Sequence, residues 1–574
     1  YGEDPYLTSR LGESFVKGLQ GDGSYLKTAA CAKHFAVHSG PEKERHHFDA
    51  KATRKDMWET YLPAFQACVE AGVESVMGAY NRTNGEPCCA NTYLMEEVLR
   101  GKWHFEGHYV SDCWAIKDFH ENHKVTRNAE ESAYLALEKG CDLNCGCTYR
   151  EIMPAYKKGD LPLSLIRRAA IRLFTTRFLL GMFDKTEYDE IPYETIACKE
   201  HLALAKKAAE ESIVLLKNDG ILPLKKKKGM TIGVIGPNAD SREALIGNYH
   251  GTPPRYITVL EGIQDYLGED GRVLYAQGCH LYKDREEALA QPDDRISEAV
   301  SCAEHADVVV LCLGLDETLE GEEGDTGNSY ASGDKLDLLP PPQQRLLEAV
   351  AKTKKPFIVC LLAGSAMDLN FADQEAAAIL QAFYPGAEGG REVARLLFGE
   401  YSPSGKLPVT IYRDLTEMPA FTDYTMRGRT YRYLTKKPLY PFGYGLTYSD
   451  CVIDEIQPEK EYTYEDAVKD GIEIKVHVEN RGSYDTEEVL QGYVKVQSPN
   501  EVLHPKLGVF ARIHIKAGEG QWISLHISKT AFSTVTEDGE RVYDGKKAQI
   551  FIGFGQPDER TAELLGVNSL SFEV

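Results

Sequence analysis

Short apolar runs alternate with amphipathic stretches over the first part of this chain, and several of the runs stop on a polar residue. The sharpest is Tyr109-Val110-Ser111-Asp112-Cys113-Trp114-Ala115, in which an apolar strand ends on a carboxylate. Such alternation calls for a parallel sheet wrapped by helices, because parallel neighbours are joined only by long crossovers. A parallel α/β barrel places its chemistry at the C-terminal ends of its strands. Asp112 is therefore the first candidate for a nucleophile.

Strands are expected at residues 27–35, 75–80, 107–112 and 141–144, with amphipathic helices over 57–72 and 130–140 that each end at glycine, as helix C-termini often do. Together they make part of a TIM-type β/α barrel over 1–185. A helical, charged passage leads into a second α/β unit. There the runs at 231–237, 307–314 and 355–363 read as buried strands of a mostly parallel sheet with helices on both faces. From residue 447 the helices stop. Runs such as Ile472-Glu473-Ile474-Lys475-Val476-His477-Val478 alternate with period two, the pattern of an antiparallel sandwich. The expected organisation is a barrel part at 1–185, a linker at 186–216, an α/β sandwich at 217–412, a linker at 413–446 and a β-sandwich at 447–574.

Charge and composition narrow the function. Lys plus Arg number 65 against 88 Asp plus Glu, a net charge of −23, which repels nucleic acid and anionic membranes. No run of eighteen apolar residues occurs, so no membrane span is expected. The 14 cysteines, among them Cys88, Cys89, Cys113, Cys141, Cys145 and Cys147, show no paired Cys-x-x-Cys spacing for zinc; they read as small buried residues with room for one local disulfide. That pattern leans to a reducing, cytoplasmic compartment. The opening Tyr1-Gly2-Glu3-Asp4-Pro5-Tyr6-Leu7 reads as a loop entering a helix, with no initiator Met, so it carries no information on secretion.

Several segments together resemble glycoside hydrolase family 3, the β-glucosidase and β-xylosidase group. They are Lys33-His34-Phe35, His38-Ser39-Gly40-Pro41-Glu42, Arg45-His46, Tyr80-Asn81, Ser111-Asp112, Ser212 to Asn218, Gly386-Ala387-Glu388-Gly389-Gly390, Pro403 to Pro408 and Pro441-Phe442-Gly443-Tyr444-Gly445-Leu446. The resemblance implies a barrel, an α/β sandwich and a fibronectin type III-like domain. It implies hydrolysis of β-glycosidic bonds from the non-reducing end with retention, by two carboxyl groups and water, without metal or organic cofactor. Asp112 matches the family's nucleophile. The acid/base comes from a variable loop of the second domain, here Leu319-Glu320-Gly321-Glu322-Glu323-Gly324-Asp325; the family's Glu-x-Glu pattern selects Glu322, with Glu323 its rival. Lys33, His34, Arg45 and Tyr80 match sugar contacts of the innermost subsite. Trp114 either walls the sugar site or packs behind the strand. The family's barrel also begins upstream of a segment like residues 1–7, and an aspartate and an arginine that grip the sugar there lie outside this numbering.

The expected substrate is a β-linked glucoside, xyloside or oligosaccharide, glucoside first. Pro87-Cys88-Cys89-Ala90 and Ser111-Asp112-Cys113 look similar to the xylosidase side, whereas Trp114 leans to the glucosidase side. A hexosaminidase branch uses a histidine paired with Asp; His46, His47 and Asp49 offer such a set, but the Glu-rich loop supplies another donor and the hexosaminidase reading is rejected. A catalytically impaired carbohydrate-binding relative is the non-enzymatic alternative, and a homodimer stays open.

Overall fold

The computed structural model describes residues 1–38, 40–322 and 338–574. Helix α1 (Pro5–Gln20) starts where its sequence dictates, with Asp4 Oδ1 accepting from the Leu7 N–H at 2.8 Å and Pro5 in the first turn, where its missing N–H costs nothing. Strands β1 (Cys31–Phe35), β2 (Ser75–Gly78) and β3 (His108–Ser111) then form a parallel sheet in that spatial order. Between β1 and β2 the expected helix is split. Met57–Tyr61 is a π-helical turn and α2 (Pro63–Glu70) begins afresh, because Pro63 has no N–H to carry the ladder onward. After β3 come α3 (Ala115–Glu121) and α4 (Ala129–Lys139), the latter ended by Gly140 at φ 102°. The strand expected at 141–144 is reduced to one bridge, Leu143 to Val110. Asp142 turns its side chain in to accept the Tyr109 N–H at 2.9 Å, so a carboxylate takes the place of a ladder bond.

Helices α5 (Leu163–Leu179) and α6 (Lys199–Ser212) lead to a six-stranded sheet. Its strands are β4 (Val214–Asn218), β5 (Met230–Ile235), β6 (Gly271–Ala276), β7 (Val308–Gly314), β8 (Phe357–Leu362) and β9 (Ala378–Gln381), in the order β4-β9-β8-β7-β5-β6. Only β4 runs antiparallel to its neighbour. Every residue of β7 and β8 is buried. Val309, Leu311 and Leu313 enter one core with Val359 and Leu361; Val308, Val310 and Cys312 enter another with Ile358, Cys360 and Leu362. Burial on both faces is why these strands read as continuous apolar runs.

The last region packs two antiparallel sheets. Its strands are β10 (Cys451–Pro458), β11 (Ile472–Asn480), β12 (Thr486–Val496), β13 (Lys506–Ile515), β14 (Gly520–Ile527), β15 (Ala548–Gly553) and β16 (Leu570–Glu573). The sheets run β10-β11-β14 and β13-β12-β15-β16, sharing a core to which β11 contributes Ile472, Ile474, Val476 and Val478. The regions interlock around the segment before the last sandwich, where the Tyr431 hydroxyl accepts from the Leu507 N–H at 2.9 Å. The Glu3 carboxylate accepts from Thr410 N–H, Thr410 Oγ1 and Tyr431 N–H at 2.9, 2.6 and 2.7 Å, and the buried Arg432 donates to Glu59 at 2.6 Å. Among the described residues no helix is long and apolar enough to cross a membrane.

Candidate active site

The C-terminal ends of β1, β2 and β3 open on one place, where an α/β sheet offers unfilled space beyond its strands. Lys33 and His34 lie near the end of β1, Tyr80 two residues beyond β2, and Asp112 one residue beyond β3. Asp112 is buried; its N–H donates to Gly78 O at 3.2 Å and its Oδ1 accepts from the Cys113 N–H at 2.8 Å. Its Oδ2, without a hydrogen bond of standard geometry among the described residues, faces His34 Nε2 at 3.3 Å. Burial pushes the Asp112 pKa up, opposed by the Cys113 N–H, the Lys33 and Arg45 charges and the Tyr80 hydroxyl. Burial, then the same two cations, drives His34 down to about 4. At neutral pH His34 is thus a neutral imidazole that meets Asp112 as a hydrogen-bonding group.

A second carboxylate arrives from the six-stranded sheet. Gly314, the last residue of β7, sits at φ 140°, and beyond it Asp316 caps the short helix Glu317–Glu320 by accepting the Thr318 N–H at 2.9 Å. Glu322 then reaches across, its Oε1 3.6 Å from Arg45 Nη1. Arg45 donates to Glu42 Oε1 at 2.8 Å and lays its guanidinium 5.0 Å from the centre of the Tyr80 ring. Burial and then the Asp112 charge raise the pKa of the Tyr80 hydroxyl, with Arg45 opposing and Glu322 adding to the rise. Glu322 and Tyr80 thus both meet Arg45, and Asp112 lies within the electrostatic reach of Arg45 and Tyr80. Glu320 turns elsewhere, accepting from the Gly364 N–H at 2.9 Å and from the Tyr384 hydroxyl. Glu323 and Ser39 lie outside the described residues.

The remaining expected residues surround this group. The Lys33 ammonium stands 4.4 Å from the ring centre of Tyr249, a residue of the second region that carried no sequence signal because it sits on a loop without periodicity. Trp114 does not pack behind its strand: it is 51% exposed, at φ 67°, with its ring against Gly146. His46 pairs with Asp118 at 2.7 Å, whereas Asp49 accepts from the Gly85 N–H at 2.8 Å. The His38 ring lies tilted by 38° with its centre 4.6 Å from that of His34, and burial first drives it down to about 3. The single bridge at Leu143 also brings Cys145 to Cys113, and the two form a disulfide. Cysteine spacing alone gave no reason to choose that pair. Among the described residues no group of three or more His, Cys, Asp or Glu is placed to hold a metal.

Comparison with known proteins adds to this geometry. Residues 1–176 match the model of the glycosyl hydrolase family 3 N-terminal domain, and 213–448 that of its C-terminal domain. The chain is 32% identical to a xylan 1,4-beta-xylosidase of Xylanibacter ruminicola, over 92% of this chain and 78% of that protein. It is 31% identical to a periplasmic beta-glucosidase of Salmonella typhimurium, over 96% of this chain and 76% of that protein. A solved GH3 exo-beta-xylosidase, in complex with a xylobiose aziridine activity-based probe, superposes with a TM-score of 0.88 at 28% identity, covering 100% of this chain and 75% of that one.

Proposed function

The chain belongs to glycosyl hydrolase family 3, and from that premise we propose that it is a retaining exo-β-glycosidase that removes terminal β-D-xylose, with β-D-glucosides as the second substrate class. Asp112 is the nucleophile and Glu322 the acid/base. The observation that carries this reading is the reach of Glu322, from a different sheet, to the Arg45–Tyr80 pair that bounds Asp112. The three-stranded region is read as part of a β/α barrel and the last region as a fibronectin type III-like domain.

Retention needs two displacements. In the first, Asp112 Oδ2 attacks the anomeric carbon while Glu322, protonated, gives its proton to the departing glycosidic oxygen, so the C–O bond breaks and a glycosyl ester forms on Asp112. In the second, Glu322, now a carboxylate, takes a proton from water as the water oxygen attacks the same carbon. The ester bond breaks and Asp112 regains its charge. Lys33, neutral His34, Arg45 and Tyr80 orient the sugar hydroxyls, and Trp114 walls the entrance. The xyloside preference rests on the names of relatives such as the Xylanibacter protein; the Salmonella relative favours the glucoside, which the sequence alone placed first.

Incubation with 2-deoxy-2-fluoro-β-xylosyl fluoride and peptide mass mapping tests the mechanism, with an adduct expected on Asp112. An adduct on another residue sinks the assignment. Rates on p-nitrophenyl xyloside, glucoside and arabinoside test the sugar; faster turnover of the glucoside reverses the preference and leaves the mechanism standing.

A further inference from the structure

We propose that the Cys113–Cys145 disulfide is a positioning element for the reaction, holding the Asp112 carboxylate where it can attack, so that opening the bond slows the glycosylation step itself. The proposal rests on Asp112 being the nucleophile. Three residues flanking or following that carboxylate are tied to one short segment. Ser111 Oγ accepts from the Cys145 N–H at 3.0 Å and from Asn144 Nδ2 at 3.3 Å. Cys113 is bonded to Cys145 through sulfur, with the Cα atoms 4.4 Å apart. Trp114 donates its N–H to Cys145 O at 2.7 Å.

The clamp matters because of what it restrains. Trp114 holds φ 67°, a left-handed conformation that a bulky side chain keeps only where its surroundings enforce it. If residues 113–115 relax, the Cys113 N–H swings away from Asp112 Oδ1, which it now meets at 2.8 Å. That N–H is the leading counterweight to the burial that raises the Asp112 pKa; Lys33, Arg45 and the Tyr80 hydroxyl follow it, His34 faces Oδ2, and Cys31 lies within electrostatic reach on β1. Losing it leaves the carboxylate harder to ionise and freer to turn.

The bond is also open to reagents, since Cys113 is exposed and Cys145 half-buried. The other cysteines are free thiols, so a reductant acts on this pair alone. Dithiothreitol supplies two electrons and two protons, the S–S bond becomes two thiols, and dithiothreitol closes to its cyclic disulfide.

The test compares the oxidised protein, the dithiothreitol-treated protein and the Cys113→Ser/Cys145→Ser variant, each checked by thermal melt. Reduction is expected to lower kcat about tenfold or more, as small displacements of a reacting group do. The acid limb of the pH profile should rise by about one unit, and fluoroxyloside labelling of Asp112 should slow in step. Reoxidation restores all three, and the variant behaves as the reduced protein with or without reductant. A purely structural staple would lower the melting temperature while leaving the acid limb and the labelling rate of the folded fraction unchanged, which overturns the proposal. Labelling of Asp112 at equal rates in both states also overturns it and leaves the nucleophile intact. No label on Asp112 in the oxidised protein overturns both.

Discussion

Glu322 shows how much one residue's role depends on where its neighbours turn. Glu320 and Glu322 are both glutamates on one short segment, yet Glu320 is held by the Gly364 N–H and the Tyr384 hydroxyl while Glu322 reaches Arg45. Spacing within the motif could nominate Glu322, but only the tertiary contacts separate the two chemically. Glu322→Ala should slow hydrolysis of alkyl xylosides by about 10²–10⁴-fold, the usual worth of a general acid, and affect dinitrophenyl xylosides far less because their leaving groups need little protonation. Azide should restore turnover as a glycosyl azide. Equal losses on both substrates would remove Glu322 from the proton-transfer step.

At the scale of elements, β7 and the turn that follows it deliver Glu322. Gly314 closes the strand at φ 140°, and a Cβ there would run into the backbone of Leu362 on β8. Gly314→Ala combines that clash with a backbone conformation that L-residues resist, so it should cost about 2 kcal/mol or more in a urea melt. Turnover should fall further than the folded fraction alone explains, since the turn carries the proposed acid/base, Glu322. A variant as stable and active as the parent would show that the strand end adapts freely. Elements differ in how legible they were. β7 and β8 were plain because both faces are buried, and α4 because a glycine ends it. The break at Pro63 and the loss of a fourth strand beside Asp142 were hidden, since each depends on one polar or ring atom rather than on periodicity.

Acid stability belongs to the whole molecule because it sums opposing titrations. Burial raises the carboxyl pKa of Glu3, Asp4 and Asp142, so these groups bind protons more readily in the folded chain and lend stability as pH falls. His34, His38 and His123 are lowered from 6.5 to about 4, 3 and 3, burial first in each case. Unfolding lets them take up protons, so their contribution is lost as pH falls below 6.5. His123 is buried with both ring nitrogens unpartnered among the described residues, stacked on Phe119. His123→Phe should therefore raise the melting temperature more at pH 5 than at pH 7.5; an equal change at both values would mean that His123 is not titrating on unfolding. The sequence by itself determined the three kinds of layer, the strand that ends on Asp112 and the loop that carries Glu322, because periodicity and motif order are local properties. Tertiary structure alone decided that Tyr249 caps Lys33, that His46 pairs with Asp118, that Cys113 bonds Cys145 and that Arg45 meets both Glu322 and the Tyr80 ring. Those partners lie on different elements, and only the packing of the sheets sets which side chains come within reach.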